Sequence, residues 1–154
     1  MSGFTILEVS LVLILISIYL NQTVAIHSKE QQIITRDIFY ILKTAQVKAM
    51  AWNTRVCVCN FQKNKCVDNW NKILNLIVYI DKKKNNHVDK EDIIISKFKI
   101  NAKKFIIKHN IRKFIYFNKE KSSGNTITIK GIREKQESSI IITKSGRIRT
   151  TGKI

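Results

Sequence analysis

The chain has 154 residues and a net charge of +17, from 22 Lys and 6 Arg against 11 acidic side chains. That length leaves room for a helical N-terminal segment and one compact domain of roughly 100 residues, with no space for a second in these residues. A surface so charged repels itself, stays soluble and attracts polyanions over a range set by salt. The charge is uneven: residues 1–96 carry 12 basic and 8 acidic side chains, residues 97–154 carry 16 and 3. A compositionally biased genome inflates lysine without function, but uniform inflation does not empty the last third of acids. The distribution predicts a basic C-terminal face.

The chain opens on Gly3-Phe4-Thr5-Ile6-Leu7-Glu8, which runs into an apolar stretch. From Val9 to Leu20 only Ser10, Ser17 and Tyr19 interrupt Leu, Val and Ile. Such a run leaves water as a helix, in lipid or in a helical bundle. Glu8 lies one turn inside it. An ionised carboxylate there costs about 2.5–3.5 kcal/mol and calls for a cation. A secretory signal peptide fits poorly, because Met1-Ser2 carries no positive charge and Leu20-Asn21-Gln22 is a poor cleavage site. The segment Gly3 to Val9 with its aliphatic continuation resembles the processing site of type IV pilins and type II secretion pseudopilins. The resemblance implies a short leader, residues 1–3, removed by a prepilin peptidase after Gly3, and methylation of the new Phe4 amine. It also implies that Glu8 meets a neighbouring subunit's N-terminus during assembly.

The helix is expected to run on to residue 53. Ile34, Ile38, Ile41, Leu42, Ala45, Ala49 and Trp52 form one apolar stripe, with Glu30, Gln31, Arg36, Asp37, Lys43, Gln46 and Lys48 opposite. Residues 4–26 are expected in the membrane or a filament core, and 27–53 form an amphipathic helix under the domain 54–154. No proline or glycine interrupts the stretch from Phe4 to Trp52. Asn53 and Thr54 end it.

After Thr54 the pattern alternates. Strands are expected over Arg55–Phe61, Ile73–Asp81, Ile93–Ile100, Phe105–Ile107, Lys113–Phe117, Thr126–Lys130, Ser139–Thr143 and Arg147–Thr151. Asp81 to Asp92 and Arg133 to Ser138 read as loops, Gly124-Asn125 and Lys144-Ser145-Gly146 as turns. The fold class is α+β: a long N-terminal helix against an antiparallel, β-rich domain.

Cys57, Cys59 and Cys66 fall within ten residues. Behind a membrane helix they face a compartment where disulfides form. Cys57 and Cys59 share one side of a strand and do not pair. A Cys59–Cys66 bridge closes a hairpin-sized loop and leaves Cys57 buried; a Cys57–Cys66 bridge stays open as the alternative. A metal site built from these thiolates with His27, His87 or His109 lacks a paired Cys-x-x-Cys and a sensible fourth ligand, so no metal and no cofactor is expected. The loop from Asp81 to Asp92 interleaves its acids with four lysines and has no turn glycine, which argues for a solvated loop over a calcium site. Trp52 and Trp70 read as core, and one of Tyr116 and Phe117 faces the interior. No catalytic constellation is present.

Arg55-Val56-Cys57-Val58-Cys59, then Cys66, Trp70, Asp81 and the terminal Gly146-Arg147-Ile148-Arg149 resemble the FimT/GspH group of minor pilins and minor pseudopilins. On a strand Arg147 and Arg149 share a face while Ile148 anchors the other. Paired guanidiniums grip phosphates bidentately, which lysine does not do. The resemblance implies DNA capture by Arg147 and Arg149, flanked by Lys144 and Lys153, with Arg133 joining from the preceding loop. Nothing reads as a recognition helix, so contact is expected to be with phosphates, independent of sequence. The same ending in a secretion pseudopilin only closes the sheet. The implied partners are other pilin subunits and their assembly machinery, the peptidase, the inner membrane and DNA.

Overall fold

The computed structural model describes residues 6–70, 72–85, 87–110, 114–132 and 137–152, without the side chains of 20–28 and 72. The chain divides into two compact units, Met1–Glu30 and Gln31–Ile154. A helix, α1, covers Ile6–Ala51. In the first unit its apolar side chains are exposed, from Ile6 at 90% to Ile16 at 49%. The two serine hydroxyls in this run are satisfied within the helix: Ser10 Oγ donates to Leu7 O and Ser17 Oγ to Leu13 O, each at 2.9 Å. Among the described residues, no helix is long and apolar enough to cross a membrane. The expected membrane segment 4–26 extends beyond the side chains that are described.

The second unit begins with the amphipathic part of α1. Ile34, Ile38, Ile41, Leu42, Ala45 and Ala49 are all buried, which is the stripe read from spacing. Two members of the pattern behave differently. Trp52 is half exposed, with the Lys48 ammonium 5.1 Å from its ring centre, because the helix has already ended at Ala51. Gln31, assigned to the polar face, is buried: its Nε2 donates to Ile129 O at 2.9 Å and to Ser138 Oγ at 3.2 Å. Thr35 Oγ1 lies 2.7 Å from the same Ser138 hydroxyl. These bonds satisfy the polar groups that the helix buries against the sheet. At the C-terminus Asn53 takes a φ of 49°, Asn53 N donates to Met50 O and Thr54 N to Ala49 O. That pattern is a Schellman cap with asparagine in the left-handed position, so Asn53 and Thr54 do end the helix.

Among the described residues nine strands follow: β1 Val56–Gln62, β2 Lys65–Val67, β3 Lys72–Ile80, β4 Ile93–Ala102, β5 Phe105–His109, β6 Phe114–Phe117, β7 Asn125–Gly131, β8 Glu137–Ile142 and β9 Ile148–Thr151. They form two antiparallel sheets. The first runs β2-β1-β3-β4, and β6 pairs with β1 over Val56–Cys59, beside the stretch where β2 pairs with Asn60–Gln62. The second runs β5-β7-β8-β9. One element is added and one reading corrected. The short β2 falls in a stretch to which the sequence assigned no element, and Glu137 and Ser138, read as loop, begin β8.

One core joins the helix stripe to Val56, Val58, Leu74, Leu76 and Val78 of the first sheet and Ile127, Ile129, Ile140, Ile142 and Ile148 of the second. The opposite face of the first sheet builds a smaller cluster from Cys57, Cys59, Ile77 and Tyr79, covered by Phe61, Cys66, Val88, Phe114 and Tyr116. β1 is therefore buried on both faces, as a continuous apolar strand requires. Phe117 faces the main core and Tyr116 the smaller one, while Trp70 is buried against the His109 ring.

Cys59 and Cys66 are bridged, with Cα atoms 5.6 Å apart, and Cys57 is a buried free thiol. For so short a loop, closure contributes about 2–3 kcal/mol. Burial pushes the Cys57 thiol up to about 12, against the lowering effect of the Arg55 guanidinium. The unfolded thiol, at its ordinary value of 9.0, then releases its proton first. This contribution to stability is intact below that value and is lost as pH climbs towards 12. Iodoacetamide is expected to leave Cys57 unmodified in the native protein at pH 8 and to label it fully after unfolding in guanidinium. Labelling of the folded chain at the rate of a small thiol would contradict this burial.

Candidate functional site

The β8–β9 hairpin carries the arginine pair. Five residues, Thr143 to Arg147, connect the two strands, with Lys144-Ser145-Gly146 at the centre as the turn signal predicts. Gly146 N donates to Thr143 O at 2.9 Å, and Thr143 N donates to Arg147 O at 3.0 Å. Gly146 closes the turn with φ at 88°, a conformation a β-carbon resists. Thr143 Oγ1 accepts from Arg147 N at 3.0 Å. From the helix, Gln46 Nε2 donates to Gly146 O at 2.7 Å. Ser122 braces the other side, with its hydroxyl donating to Thr143 O and its backbone N to Lys144 O at 2.9 Å.

On this frame Ile148 is buried at 6% exposure, between an exposed Arg147 and an exposed Arg149. Ile148 pairs with Ile142 and Arg149 with Ile141, at the β9 edge of the sheet. The side chain that anchors the segment and the two that leave it are therefore separated as alternation dictates. Lys144 is exposed in the turn. Among the described residues, none of these three cations has an ion-pair partner; further along the sheet, Lys130 is held by Glu137 at 3.1 Å. Gly3, Phe4, Arg133 and Lys153 lie outside the described residues, so the processing site and two of the flanking cations are not placed. Glu8 is described and exposed. Gln46, Thr143 and Ser122 were not singled out in the sequence, because each acts through a backbone contact that no spacing reveals.

The acidic loop departs from its expected solvated form at Val88, which packs on the smaller cluster, and at Asp81. Asp81 is buried, with Oδ2 3.6 Å from Arg55 Nε, and Arg55 stacks over the Tyr116 ring at 4.3 Å. The remaining carboxylates organise the loop itself: Asp92 accepts from Lys82 N and Asp89 N, and Asp89 from Asn85 Nδ2. Among the described residues there is no group of three potential metal ligands.

A long N-terminal helix whose amphipathic part lies under two antiparallel sheets, with a disulfide in the first strand pair, defines the pilin-like fold of minor pilins and minor pseudopilins. Solved structures of two such proteins share it. The type IV minor pilin FimU of Pseudomonas aeruginosa superposes with a TM-score of 0.56 at 14% identity, over 81% of this chain and 90% of that one. The minor pseudopilin EpsH from the type 2 secretion system of Vibrio cholerae gives a TM-score of 0.57 at 8% identity, over 80% of this chain and 97% of that one. No protein-family profile and no curated protein sequence matches the chain. At these identities the likeness speaks for the fold.

Proposed function

We propose that the protein is a minor type IV pilin that assembles into a pilus and binds DNA without sequence preference through its basic C-terminal face, for uptake in natural transformation. The observation that carries the DNA reading is the exposed Arg147–Arg149 pair on either side of buried Ile148, in a region with 16 basic and 3 acidic residues. The assembly reading is supported by apolar surface that the single chain leaves uncovered: Ile6 to Tyr19 in the first unit, and Ile33, Tyr40 and Val47 at seven-residue intervals on α1 in the second. In this reading a prepilin peptidase cleaves after Gly3. The Phe4 amine is methylated, and Glu8 meets the amine of a neighbouring subunit. Before assembly the helix anchors the chain in the inner membrane with its domain in the periplasm; afterwards the subunit stands in an extracellular pilus. No step requires catalysis by the chain or a cofactor.

The likeness to EpsH favours a second reading, a structural minor pseudopilin or pilus-priming subunit in which the arginines only solvate the sheet edge. DNA binding separates the two. The full chain in zwitterionic detergent is expected to retard duplex DNA at low salt and to release it as salt rises. Failure to retard DNA at low salt leaves the structural role alone.

A further inference from the structure

On the side of the second unit where α1 ends, Asn53, Thr54, Arg55, Lys84, Asn118, Lys119, Glu120 and Lys121 enclose an open cleft with a volume of about 510 Å³. Its walls come from three separate parts of the sequence and bring together four cations, two carboxamides and a single carboxylate, Glu120. The floor is organised before any ligand arrives. Arg55 is fixed by the Asp81 carboxylate on Nε and by the Tyr116 ring, and its Nη1 donates to Lys84 O at 3.4 Å. An arginine held in this way loses little freedom on gripping an anion. Lys84 takes a left-handed backbone, φ 54°, where glycine would sit without strain. The exposed Lys119 and Lys121 stand on a tight turn closed by Asn118 N donating to Lys121 O at 2.7 Å.

This turn is wired to the arginine hairpin. Ser122, next to Lys121, bonds Thr143 O and Lys144 O, and a β-carbon placed on Gly124 would meet the Lys144 side chain at 2.9 Å. The cleft and the hairpin are thus two stations joined by adjoining backbone. We infer that the cleft is a second phosphate-binding station, which takes a backbone phosphodiester of the same DNA strand held at Arg147 and Arg149. The inference rests on the proposed function for the identity of the polyanion; the cleft itself is argued from its own cations. Preorganised Arg55 supplies the fixed contact, Lys84, Lys119 and Lys121 the surrounding field, and Glu120 limits the affinity.

The test is a titration of the full chain in zwitterionic micelles with a single-stranded oligodeoxynucleotide, followed by amide NMR shifts and fluorescence anisotropy. The expected result is movement of the Lys84 and Asn118–Lys121 amides together with those of Gly146–Arg149. In Lys119→Ala/Lys121→Ala the log–log salt slope falls by about 1.4 and affinity at low salt by about tenfold. Glu120→Gln tightens binding. Lys84→Gly weakens binding while raising thermal stability, a combination that a merely structural lysine does not give. Movement of the hairpin amides alone, with an unchanged slope in the double lysine variant, overturns the cleft and leaves the arginine pair standing. Movement of the cleft amides alone sustains the cleft and removes the pair. No movement at either overturns both.

Discussion

Replacing Arg147 and Arg149 together with alanine is expected to weaken DNA binding about ten- to hundredfold at low salt and to flatten the log–log salt slope on duplex DNA by about 1.8. The slope follows from counting: each arginine that neutralises one phosphate releases its counterion, and two such contacts disappear. The fold is expected to survive unchanged. Both side chains leave the sheet, Ile148 keeps its place in the core, and the bonds that form the hairpin are backbone bonds or come from Thr143, Gln46 and Ser122. Urea unfolding of the variant is therefore expected to match the parent within about 0.5 kcal/mol. Lysine at both positions sharpens the reading. Charge is kept, so the slope stays, while the lost bidentate geometry lowers affinity severalfold. Anisotropy titrations at several salt concentrations measure all three proteins, and undiminished binding by the alanine variant removes the arginines from the interface.

The helix and the strands were legible because each writes its burial as a period. The stripe from Ile34 to Ala49 fills one side of α1, and the alternation in Asn125–Gly131 is mirrored in a buried–half-buried pattern along β7. Ile148 between two arginines is the same signal at its shortest. The misreadings arise where a residue answers to a distant partner. Gln31 is polar and was set apart from the apolar stripe for that reason, yet it lies three residues before Ile34 and seven before Ile38, on the same face. Ile129 O and Ser138 Oγ, about a hundred positions away, accept its bonds. Lys65–Val67 is too short for a period and becomes a strand only because β1 leaves its edge free beyond the reach of β6. Trp52 matches the stripe by spacing, but the cap at Asn53 turns the chain before it can pack. The cation cleft was invisible for the same reason. Arg55, Lys84 and Lys121 are far apart in sequence and meet only once both sheets are built.

Asp81 shows most sharply what the local pattern concealed. Read as the junction between a strand and a solvated loop, it is buried with its side chain fully covered, against an Arg55 side chain that is 12% exposed. Asp81→Ala is expected to cost about 3–5 kcal/mol, more than the disulfide contributes, because it strips a covered guanidinium of this carboxylate. It also removes the acceptor of Asn85 N at 3.2 Å. The backbone bond from Asp81 N to Arg55 O, at 3.1 Å, survives and keeps β1 and β3 in register. The loss is therefore one of charge compensation, not of strand pairing, and the urea m-value is expected to stay constant. Removing both charges, as Arg55→Met/Asp81→Leu, is expected to recover most of the stability, since apolar side chains of similar size replace buried ion pairs at little cost. The recovered protein would still lack the fixed cation of the cleft. If it unfolds like the parent but holds DNA less tightly, the pair exists to position Arg55. If it remains as unstable as Asp81→Ala alone, the pair contributes to the fold itself, and the cleft borrows an arginine already needed there.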